Sequence, residues 1–319
     1  MPRPDERLAD FEAQRPRLLR LGYRMLGSFS EAEDVVQEAW LRWARVEEGV
    51  DTPAAYLTRI VTRLCLDQMK SARARRETYI GAWLPEPLMG ATDPRDEPVA
   101  DDLTLTLMLA LERLSPLERA AFLLHDVFGV ALADVAITLD RDATAVRQLA
   151  VRARKHVQVE RPRYRVEQAE ADRIAHAFFA AARDGDAAVL TSMLAEDVSI
   201  HSDGGGRVLA FRNIIHGIDK ALRLFAGLAR KYDHQPVLLR SVTIDGLPGY
   251  VSIDRGQVLQ TTALDIRDGR VAAIYMMRNP EKLRHVAAML GPDVLETDGS
   301  SKAFRTRAPR ARSNHARAG

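Results

Sequence analysis

The spacing of apolar residues predicts a helical domain over residues 1–80. A first amphipathic stretch ends at Gly27-Ser28, and apolar positions at helical spacing resume over 31–46. Residues 30–33, Ser-Glu-Ala-Glu, have the form of a capping box that begins this second helix. Thr52-Pro53 begins a third helix, because a capping residue precedes a proline at the first helical position.

A second helical domain is predicted over 103–160, and it contains a helix-turn-helix. A helix at 132–139 is followed by the tight turn Asp140-Arg141-Asp142 and by a longer helix at 144–158. Apolar residues line one face of the longer helix, and polar and basic residues line the other. This arrangement is typical of proteins that insert the second helix into the major groove of DNA.

The pattern changes after residue 165. Two helices are predicted near 167–183 and 186–194, and strand-like segments separated by short Gly-containing turns follow between 237 and 278. Helices followed by a meander of strands are typical of an α+β domain, which we assign to 166–290. The predicted fold is therefore multidomain: two all-α domains, the second with the helix-turn-helix, and then the α+β domain.

Two further segments are predicted to lie outside these domains. Residues 81–102 contain four prolines and an excess of acidic residues. That composition is typical of an exposed tether rather than of a core element. The tail at 291–319 is basic and contains Ser, Pro and Gly, and we expect it to be disordered.

Charge is balanced over the whole chain but not locally. The chain has 46 Lys and Arg against 44 Asp and Glu, a net charge of +2, whereas residues 141–165 carry eight basic residues against two acidic ones. A single cysteine, Cys65, excludes a disulfide framework and a zinc site built from cysteines. The sequence has neither an apolar run of ~20 residues nor the apolar core of a signal peptide. We therefore expect a cytoplasmic protein that spans no membrane.

Two helical faces are candidates for DNA contact. On the helix after Pro53, four basic residues fall within one arc of about 80°, which favours contact with a phosphate backbone over a merely solvated face. They are Arg59, Arg63, Lys70 and Arg73. Tyr56 borders this face and could stack on an unpaired base, although packing in the core is the favoured interpretation. On the second helix of the helix-turn-helix, the outward residues are Arg147, Gln148, Arg152 and Lys155.

Two long segments resemble a known family. SEAEDVVQEAWLRW followed by AAYLTRIVTRLCLDQMKSARARRE resembles the second conserved region of sigma-70-family initiation factors. LERLSPLERAAFLLHDVFGVALADVAITLDRDATAVRQLAVRARKHV resembles their fourth region, and no segment resembles their third. This abbreviated layout is similar to that of the extracytoplasmic-function (ECF) sigma factors, and the resemblance covers roughly residues 10–158.

Three shorter motifs resemble one subgroup of that family. YIGAWLPEPL at 79–88 resembles its linker motif, and residues 203–207 and 279–283 resemble its Asp-Gly-Gly-Gly-Lys and Asn-Pro-x-Lys-Leu motifs. The subgroup carries a C-terminal SnoaL-like domain, a cone of the NTF2 fold. The sequence departs from these patterns at two positions. It has Arg207 where the motif commonly has Lys, and Asp140 where many helix-turn-helix turns have glycine.

The resemblance implies a sigma factor that directs RNA polymerase to promoters and is regulated in cis by its C-terminal domain. Its partners would be promoter DNA and the β′ clamp and β flap of the polymerase core, and it would be a monomer when free. The helix around 59–76 would recognise and melt the −10 element, and the outward face of the helix-turn-helix would read the −35 element. The residues implied to bind the clamp are Asp34, Gln37 and Glu38. The residues expected to form one regulatory contact, with Arg207 or Lys282 paired to Glu86, are Trp83, Glu86, Asp203, Arg207, Asn279 and Lys282.

The residues alone leave two other functions open. One is an isomerase or hydrolase of the NTF2 fold attached to DNA-binding helices. The other is a helix-turn-helix repressor with a ligand-sensing domain, so an unidentified small ligand is a further candidate partner. The polar residues available to such a pocket are His201, Asp203, His216, Tyr250, Asp254 and Tyr275, although surface exposure or local hydrogen bonding is the favoured interpretation of the histidines. We predict no catalytic residue, no metal ligand and no cofactor, and therefore no enzyme.

Overall fold

The computed structural model describes most of the three predicted domains. The described residues are 4–46, 49–77, 79, 81–89, 105–157, 168–231, 234–254 and 257–290. For residues 4, 5, 71–77 and 168 the description covers the backbone alone. The predicted tail at 291–319 and residues 90–102 of the predicted tether lie outside the described residues.

Three helices form the first domain. They are α1 at Pro4–Leu26, α2 at Phe29–Ala44 and α3 at Pro53–Glu77. α1 ends at Gly27, whose φ of 72° is a left-handed value that favours glycine. The cap of α2 is Ser28, whose Oγ accepts a hydrogen bond from the Glu31 amide at 3.1 Å. The capping box predicted at 30–33 is therefore wrong, because the tight turn at Gly27 places the cap two residues earlier.

The second domain contains the predicted helix-turn-helix. Its described helices are α4 at Leu105–Glu112, α5 at Pro116–Phe122, one turn of π-helix at Leu123–Val127, α6 at Leu132–Leu139 and α7 at Ala143–Val157. Ser115 and Glu118 form a reciprocal capping box at the start of α5. Between α6 and α7, Asp140 adopts a left-handed φ of 53°, a conformation that Asp tolerates moderately well.

The third domain packs helices against a six-stranded sheet. Its described helices are α8 at Gln168–Asp184, α9 at Ala187–Met193, α10 at Ile218–Lys231 and α11 at Arg284–Leu290. Its strands are β1 at Leu194–Asp203, β2 at Ile215–His216, β3 at Val237–Ile244, β4 at Leu247–Asp254, β5 at Val258–Arg267 and β6 at Arg270–Met277. The strand order is β2-β1-β6-β5-β4-β3, with β1 parallel to β6 and the other pairs antiparallel. The predicted meander corresponds to β3–β6, whereas β2, α10 and α11 are additional to the prediction.

Both faces of this sheet are buried. One face packs against α8 and α10, in a core that includes Phe178 and Ile274. The opposite face forms a separate core around Tyr275, and Leu84 and Leu105 pack into it from the preceding parts of the chain. The third domain is therefore held against the rest of the protein by the sheet face opposite α8 and α10.

The two helical domains share one apolar core. It contains Leu18 and Val61 from the first domain and Leu124 from the second. Arg119 of α5 is 1% exposed and donates a hydrogen bond to the carbonyl of Met25, at the end of α1, at 2.7 Å. The two domains consequently lie side by side.

Residues 81–89 of the predicted tether are packed rather than exposed. The four consecutive residues 84–87 are all buried, and two of them are prolines, which have no amide to satisfy. The amides of Leu84, Glu86 and Leu88 each donate to a different acceptor. Leu84 donates to Asp203 at 2.9 Å, Glu86 to the Gly27 carbonyl at 2.9 Å and Leu88 to Asp245 at 3.3 Å. The expectation of an exposed tether is therefore wrong for residues 81–89, which we call the linker segment.

Candidate nucleic-acid interface and interdomain contact

The outward face of α7 is open to solvent. Arg147, Gln148, Arg152 and Lys155 are all exposed on it. The opposite face packs into the shared core through Val146, Leu149, Ala153 and Val157. Arg147 and Gln148 lie in the first two turns of the helix, where a recognition helix contacts base edges. The four predicted side chains are thus presented together.

An ion pair orients one residue of this face. The Nε atom of Arg152 lies 3.3 Å from Oε1 of Glu118, and the Arg152 side chain remains 59% exposed. Burial opposes the ionisation of Glu118, but hydrogen bonds from Ser115 and the charge of Arg152 outweigh it and lower its pKa. Glu118 is therefore ionised at neutral pH and positions Arg152 at the base of the exposed face.

The basic face of α3 is partly covered by the second domain. Arg59 is half-buried, and Arg63 donates from Nε to the Thr138 carbonyl of α6 at 3.4 Å. Lys70 is exposed and pairs with Asp67 at 2.9 Å, whereas the side chain of Arg73 lies outside the described residues. An open cleft of about 640 Å³ lies between α3 and the helix-turn-helix, lined by Arg59, Arg63, Ala136, Ile137, Asp140, Arg141 and Asp142. This face is therefore turned towards the helix-turn-helix.

Tyr56 is part of the packing beside that face. Its side chain is half-buried and packs against the shared core, with its ring centroid 5.7 Å from that of Trp43. This arrangement agrees with the interpretation favoured from the sequence, in which Tyr56 packs in the core rather than stacking on an unpaired base.

The polar face of α2 lies on the outside of the first domain. Asp34 and Gln37 are exposed, and Glu38 is half-buried. Glu38 pairs with Arg42, one turn further along the helix, at 2.8 Å. The apolar side of α2 is buried, so the three predicted residues share one accessible surface.

Glu86 caps the helix that carries this surface. Its carboxylate accepts hydrogen bonds from the Ser28 hydroxyl at 2.8 Å and from the amide of Phe29 at 2.7 Å. Ser30 adds a longer amide hydrogen bond at 3.3 Å. An anion at a helix N-terminus satisfies free amides and interacts favourably with the helix dipole. The predicted ion pair of Glu86 with Arg207 or Lys282 is therefore wrong, because the end of α2 takes the carboxylate.

Asp203 is the centre of the contact between the linker segment and the third domain. It is 0% exposed and accepts hydrogen bonds from the Tyr79 hydroxyl at 2.5 Å, the Leu84 amide at 2.9 Å and the Gly205 amide at 3.0 Å. Lys282 donates to the same carboxylate at 2.8 Å. The charges of Asp203 and Lys282 are thus paired inside the contact.

Lys282 extends the contact to the backbone and an aromatic side chain of the linker segment. Its Nζ donates to the Leu84 carbonyl at 2.5 Å. The same atom lies 4.3 Å from the ring centroid of Trp83 and 5.0 Å from that of Tyr79, within the range of a cation–π interaction. The Trp83 ring in turn covers Gly27, where a Cβ atom would lie 2.5 Å from it.

Asn279 and a glycine complete this contact. The side-chain amide of Asn279 donates to the Tyr79 hydroxyl at 3.0 Å. Burial, followed by the hydrogen bond to Asp203, raises the pKa of Tyr79, so its hydroxyl remains protonated and available as a donor. Gly205 has a φ of 60°, and a Cβ there would lie 2.3 Å from Asn279. Both the turn and the close approach therefore require glycine.

Arg207 lies at the edge of this contact rather than within it. It pairs with Glu281 at 2.9 Å, and the two side chains are 64% and 53% exposed. The structure thus brings Trp83, Asp203, Asn279 and Lys282 into direct proximity, whereas Arg207 bonds within its own domain.

The polar residues considered for pocket chemistry mostly have structural contacts. His201 interacts with the Ser199 hydroxyl at 3.1 Å and packs on Tyr275. Burial, together with the positive charges of His216 and Arg113, lowers the pKa of His201 to about 4. The other contacts are Asp254 with Arg278 at 2.9 Å and Tyr250 with the Phe179 ring at 5.2 Å. Each of these four side chains therefore contacts a neighbour within the third domain.

Two of the predicted absences concern a membrane-spanning helix and a metal site. None of the helices within the described residues is both long and apolar enough to cross a membrane. Nor do the described parts of the chain bring together three or more His, Cys, Asp or Glu side chains in a way that could hold a metal ion.

Three interdomain contacts were not found by reasoning from the sequence. Tyr79 belongs to the linker motif, but only its spacing from Asp203 in the structure shows its role. Arg119 lies in a helical segment, and nothing in the sequence pattern indicates that this arginine is buried. Asp245 lies in an Asp-Gly turn, which the sequence marks as a loop and nothing more.

Comparison with known proteins agrees with this architecture. Residues 11–75 match sigma-70 region 2, and residues 104–157 match sigma-70 region 4. The chain is 39% identical over 289 residues to the ECF RNA polymerase sigma factor SigJ of Mycobacterium tuberculosis, covering 86% of this chain and 92% of the relative. It is 33% identical over 288 residues to the probable ECF RNA polymerase sigma factor SigI of the same species, covering 89% and 97%. The crystal structure of M. tuberculosis SigJ superposes with a TM-score of 0.70 at 34% identity, covering 89% of this chain and 99% of that one.

Regions 2 and 4 in this order, the second with an exposed recognition helix, define the sigma-70 class of transcription factors. Within that class the chain belongs to the family of ECF RNA polymerase sigma factors, as its identity over most of its length to SigJ and SigI shows. The predicted fold, two sigma domains followed by a SnoaL-like α+β cone, is confirmed.

Proposed function

We propose that this protein binds the RNA polymerase core, directs it to specific promoters and starts transcription in the cytoplasm, under the control of its own C-terminal domain. The observation that carries the proposal is the outward face of α7, where Arg147 and Gln148 are exposed near the start of a recognition helix. Family membership supports the same function. In this role the protein is a binding protein and not an enzyme.

Arg147 and Gln148 read the −35 element in this proposal. Arg forms paired hydrogen bonds with guanine, and Gln forms them with adenine, each contributing about 1–3 kcal/mol of discrimination. Arg152 lies on the same reading surface, and Lys155 supplies positive charge for the phosphate backbone. α3 recognises the −10 element through Arg59 and its neighbours on the basic face.

The polar face of α2 binds the polymerase core. Asp34 and Gln37 are exposed and adjacent on this helix, and Glu38 lies beside them. Glu86 caps the same helix from the linker segment, so the position of the linker and the order of this surface are coupled. The clamp of the β′ subunit is the partner that we assign to it, and the monomer is the form that binds.

The compact arrangement supports a closed state that has to open on a promoter. The −10 and −35 elements are about 25 base pairs apart, or about 85 Å at 3.4 Å per base pair. In contrast, Arg63 of α3 bonds the Thr138 carbonyl of α6 at 3.4 Å. The two helical domains therefore have to separate before both elements are bound. We call the compact arrangement the closed state.

Control by the third domain operates through the linker segment. Asp203 and Lys282 bind Leu84 directly, and tethering within one chain gives such contacts an effective concentration of about a millimolar. The contact thus fixes where the linker segment lies and hence how far apart the helical domains can move.

The test is transcription in vitro with purified polymerase core and the full chain. We expect specific initiation from a cognate promoter, and we expect Asp34→Arg to weaken co-purification with core while leaving the melting temperature unchanged. Glu12→Arg is the control, because Glu12 is exposed on α1 and undergoes the same charge change. A full-length protein that binds core no better than the Asp34→Arg variant does, and that initiates from no promoter, would overturn the proposal.

A further inference from the structure

One face of α1 carries three arginine residues, Arg17, Arg20 and Arg24, which we call the arginine face. At 100° per residue they fall within one arc of about 60°. The second domain covers part of this face with Phe128, the residue that follows the turn of π-helix. The Cζ atoms of Arg17 and Arg24 each lie 5.1 Å from the centroid of the Phe128 ring, within the range of a cation–π interaction. One aromatic ring thus covers two arginine side chains.

Arg24 is a charged residue buried in the contact between the two helical domains. It is 7% exposed. In the described parts of the chain its Nη1 atom has no hydrogen-bond partner, and no carboxylate pairs with it. Burial, and then the positive charge of Arg20, lower the pKa of Arg24 to about 10, so the side chain is still charged at neutral pH. A buried charge is costly unless it is paired and hydrogen-bonded. The closed state therefore leaves Arg24 in an unfavourable environment.

The arginine face of α1 is continuous with the basic face of α3. Arg17 is half-buried, and its Nη1 atom donates to the Thr58 hydroxyl of α3 at 2.9 Å. The next residue of α3 is Arg59, whose Nε atom is buried and has no hydrogen-bond partner within the described ranges. In the proposed function α3 contacts the DNA of the −10 element. The DNA backbone therefore passes next to the arginine face when the two helical domains have separated.

We infer that Arg17 and Arg24 form a binding site for phosphate groups of promoter DNA, which Phe128 covers in the closed state. The inference rests on the proposed function, in which the helical domains separate and α3 contacts the −10 element. A phosphate oxygen would supply an acceptor for Nη1 of Arg24, and the planar guanidinium group forms paired hydrogen bonds with phosphate. The two arginines are about 10 Å apart along the helix axis, a distance that three nucleotides span at about 3.4 Å each.

Phe128 and a phosphate group interact with the same guanidinium groups and cannot do so together. The ring attracts a cation only through its π face, whereas a phosphate group provides negative charge and acceptor oxygens. Phe128 is half-buried, so it lies at the edge of the contact between the helical domains. DNA can therefore replace the ring once the domains separate, and the site is covered in the free protein.

The experiment measures the binding of the free, full-length protein to a fluorescein-labelled DNA single strand of mixed sequence. Fluorescence anisotropy gives the association constant at several salt concentrations. The slope of its logarithm against the logarithm of salt concentration reports the number of phosphate contacts, at about −0.7 for each one. A single strand is the probe because α3 is proposed to melt the −10 element. Melting curves show that each variant is folded.

Phe128→Ala is the principal variant, because it removes the ring from both arginine side chains. Arg24→Met is then added to it, since methionine keeps much of the side-chain volume but has no charge. The matched control adds Arg15→Met instead. Arg15 is exposed and lies about 160° around α1 from Arg17, so this change removes the same charge from the opposite side of the helix.

Phe128→Ala should bind the strand about tenfold more tightly than the wild type at low salt, with a salt slope steeper by about 1.4, because two phosphate contacts become available. Adding Arg24→Met should remove about half of the added slope, and adding Arg15→Met should leave it in place. Equal affinities for Phe128→Ala and the wild type would overturn the inference. So would a gain in affinity and slope that survives Arg24→Met as fully as it survives Arg15→Met.

If Phe128→Ala does not fold, the single variants Arg24→Met and Arg15→Met decide the matter. Arg24→Met should melt at the same temperature as Arg15→Met or higher, since replacing an unpaired buried charge by an apolar group of similar volume is neutral or stabilising. It should also bind the strand more weakly and with a shallower salt slope. Equal salt slopes for the two variants would overturn the inference, because Arg24 would then be only a structural part of the contact between the domains.

These outcomes are separable from the fate of the proposed function, because the binding measurement needs no polymerase core and no promoter. If Arg24→Met makes the salt slope shallower but the protein initiates no transcription, the phosphate site stands and the proposed function fails. If the wild type initiates transcription but Arg24→Met and Arg15→Met have the same salt slope, the proposed function stands and the phosphate site fails.

Discussion

Replacing Lys282 by methionine would remove a positive charge from the centre of the interdomain contact while keeping most of the side-chain volume. Lys282 Nζ lies 2.8 Å from Oδ2 of Asp203, and the side chains are 12% and 0% exposed. After Lys282→Met, the Asp203 carboxylate keeps its hydrogen bonds from Tyr79, Leu84 and Gly205. The carboxylate loses its counter-charge. We therefore expect a lower stability of the third domain and a weaker contact between this domain and the linker segment.

The size of the effect follows from the burial of both partners. Removing one partner of a buried ion pair typically costs about 3–5 kcal/mol. The three remaining hydrogen bonds still stabilise the carboxylate, so we expect a loss at the lower end of this range, about 3 kcal/mol. For a domain of this size, that corresponds to a melting temperature lower by about 10 °C.

The matched control is Arg207→Met, which removes the same charge from the neighbouring motif. The Arg207–Glu281 pair is largely exposed, and such pairs contribute about 0–1 kcal/mol. Differential scanning calorimetry of the full chain should therefore show a shift below about 3 °C for this variant. Combining Lys282→Met with Asp203→Asn should recover part of the lost stability, because no uncompensated charge then remains buried.

Equal melting temperatures for Lys282→Met and Arg207→Met would refute the reasoning. That result would mean that the hydrogen bonds from Tyr79, Leu84 and Gly205 are enough to stabilise the Asp203 carboxylate, or that Lys282 does not contact the linker segment in solution. A further measurement, the rate of proteolysis within the linker segment, should rise for Lys282→Met and stay unchanged for Arg207→Met.

The other predictions concern turn geometry, base readout and pH. Gly205→Ala should lower the melting temperature more than Gly269→Ala, because both positions have positive φ but only at Gly205 would a Cβ meet a side chain, at 2.3 Å. Arg147→Ala should relax the preference at one promoter position by about 1–3 kcal/mol, and Lys155→Ala should weaken binding to all sequences; fluorescence anisotropy at fixed salt separates the two. Burial raises the pKa of Asp245 from 3.8 to about 7, so its contribution to the stability of the fold is complete below about pH 3.8 and is lost as the pH rises through about 7. The melting temperature of the wild type relative to Asp245→Asn should fall between about pH 4 and pH 7 and level off above it.

Helical periodicity predicts the surfaces that face solvent because burial selects the opposite side of each helix. The apolar positions of α7 are buried, and the prediction that Arg147 and Gln148 face outward follows from that spacing alone. The same reasoning places the basic residues of α3 on one face. It does not show that this face is turned towards α6, since packing between domains leaves no periodic signal in either helix.

Motifs in the sequence indicate which residues meet but not how deeply they are buried. The two motifs at 203–207 and 279–283 each contain one basic residue, and from the sequence Arg207 and Lys282 are equivalent candidates for pairing with Glu86. In the structure the Lys282 side chain is only 12% exposed and pairs with the buried Asp203, Arg207 is exposed, and Glu86 caps α2. The difference depends on where each motif lies on the folded sheet, which composition and charge do not encode.

The linker segment shows why a prediction from composition was wrong for a buried element. Proline, acidic residues and the absence of periodicity predict a solvated tether, because a buried backbone must satisfy its amides. Alternation of proline with other residues over 84–88 removes every second amide, and the remaining ones bond the third domain, the first domain and the third domain again. A proline-rich segment with few amides can therefore be buried between domains at little cost in unsatisfied hydrogen bonds, and because its bonds alternate between two domains, moving either domain breaks them.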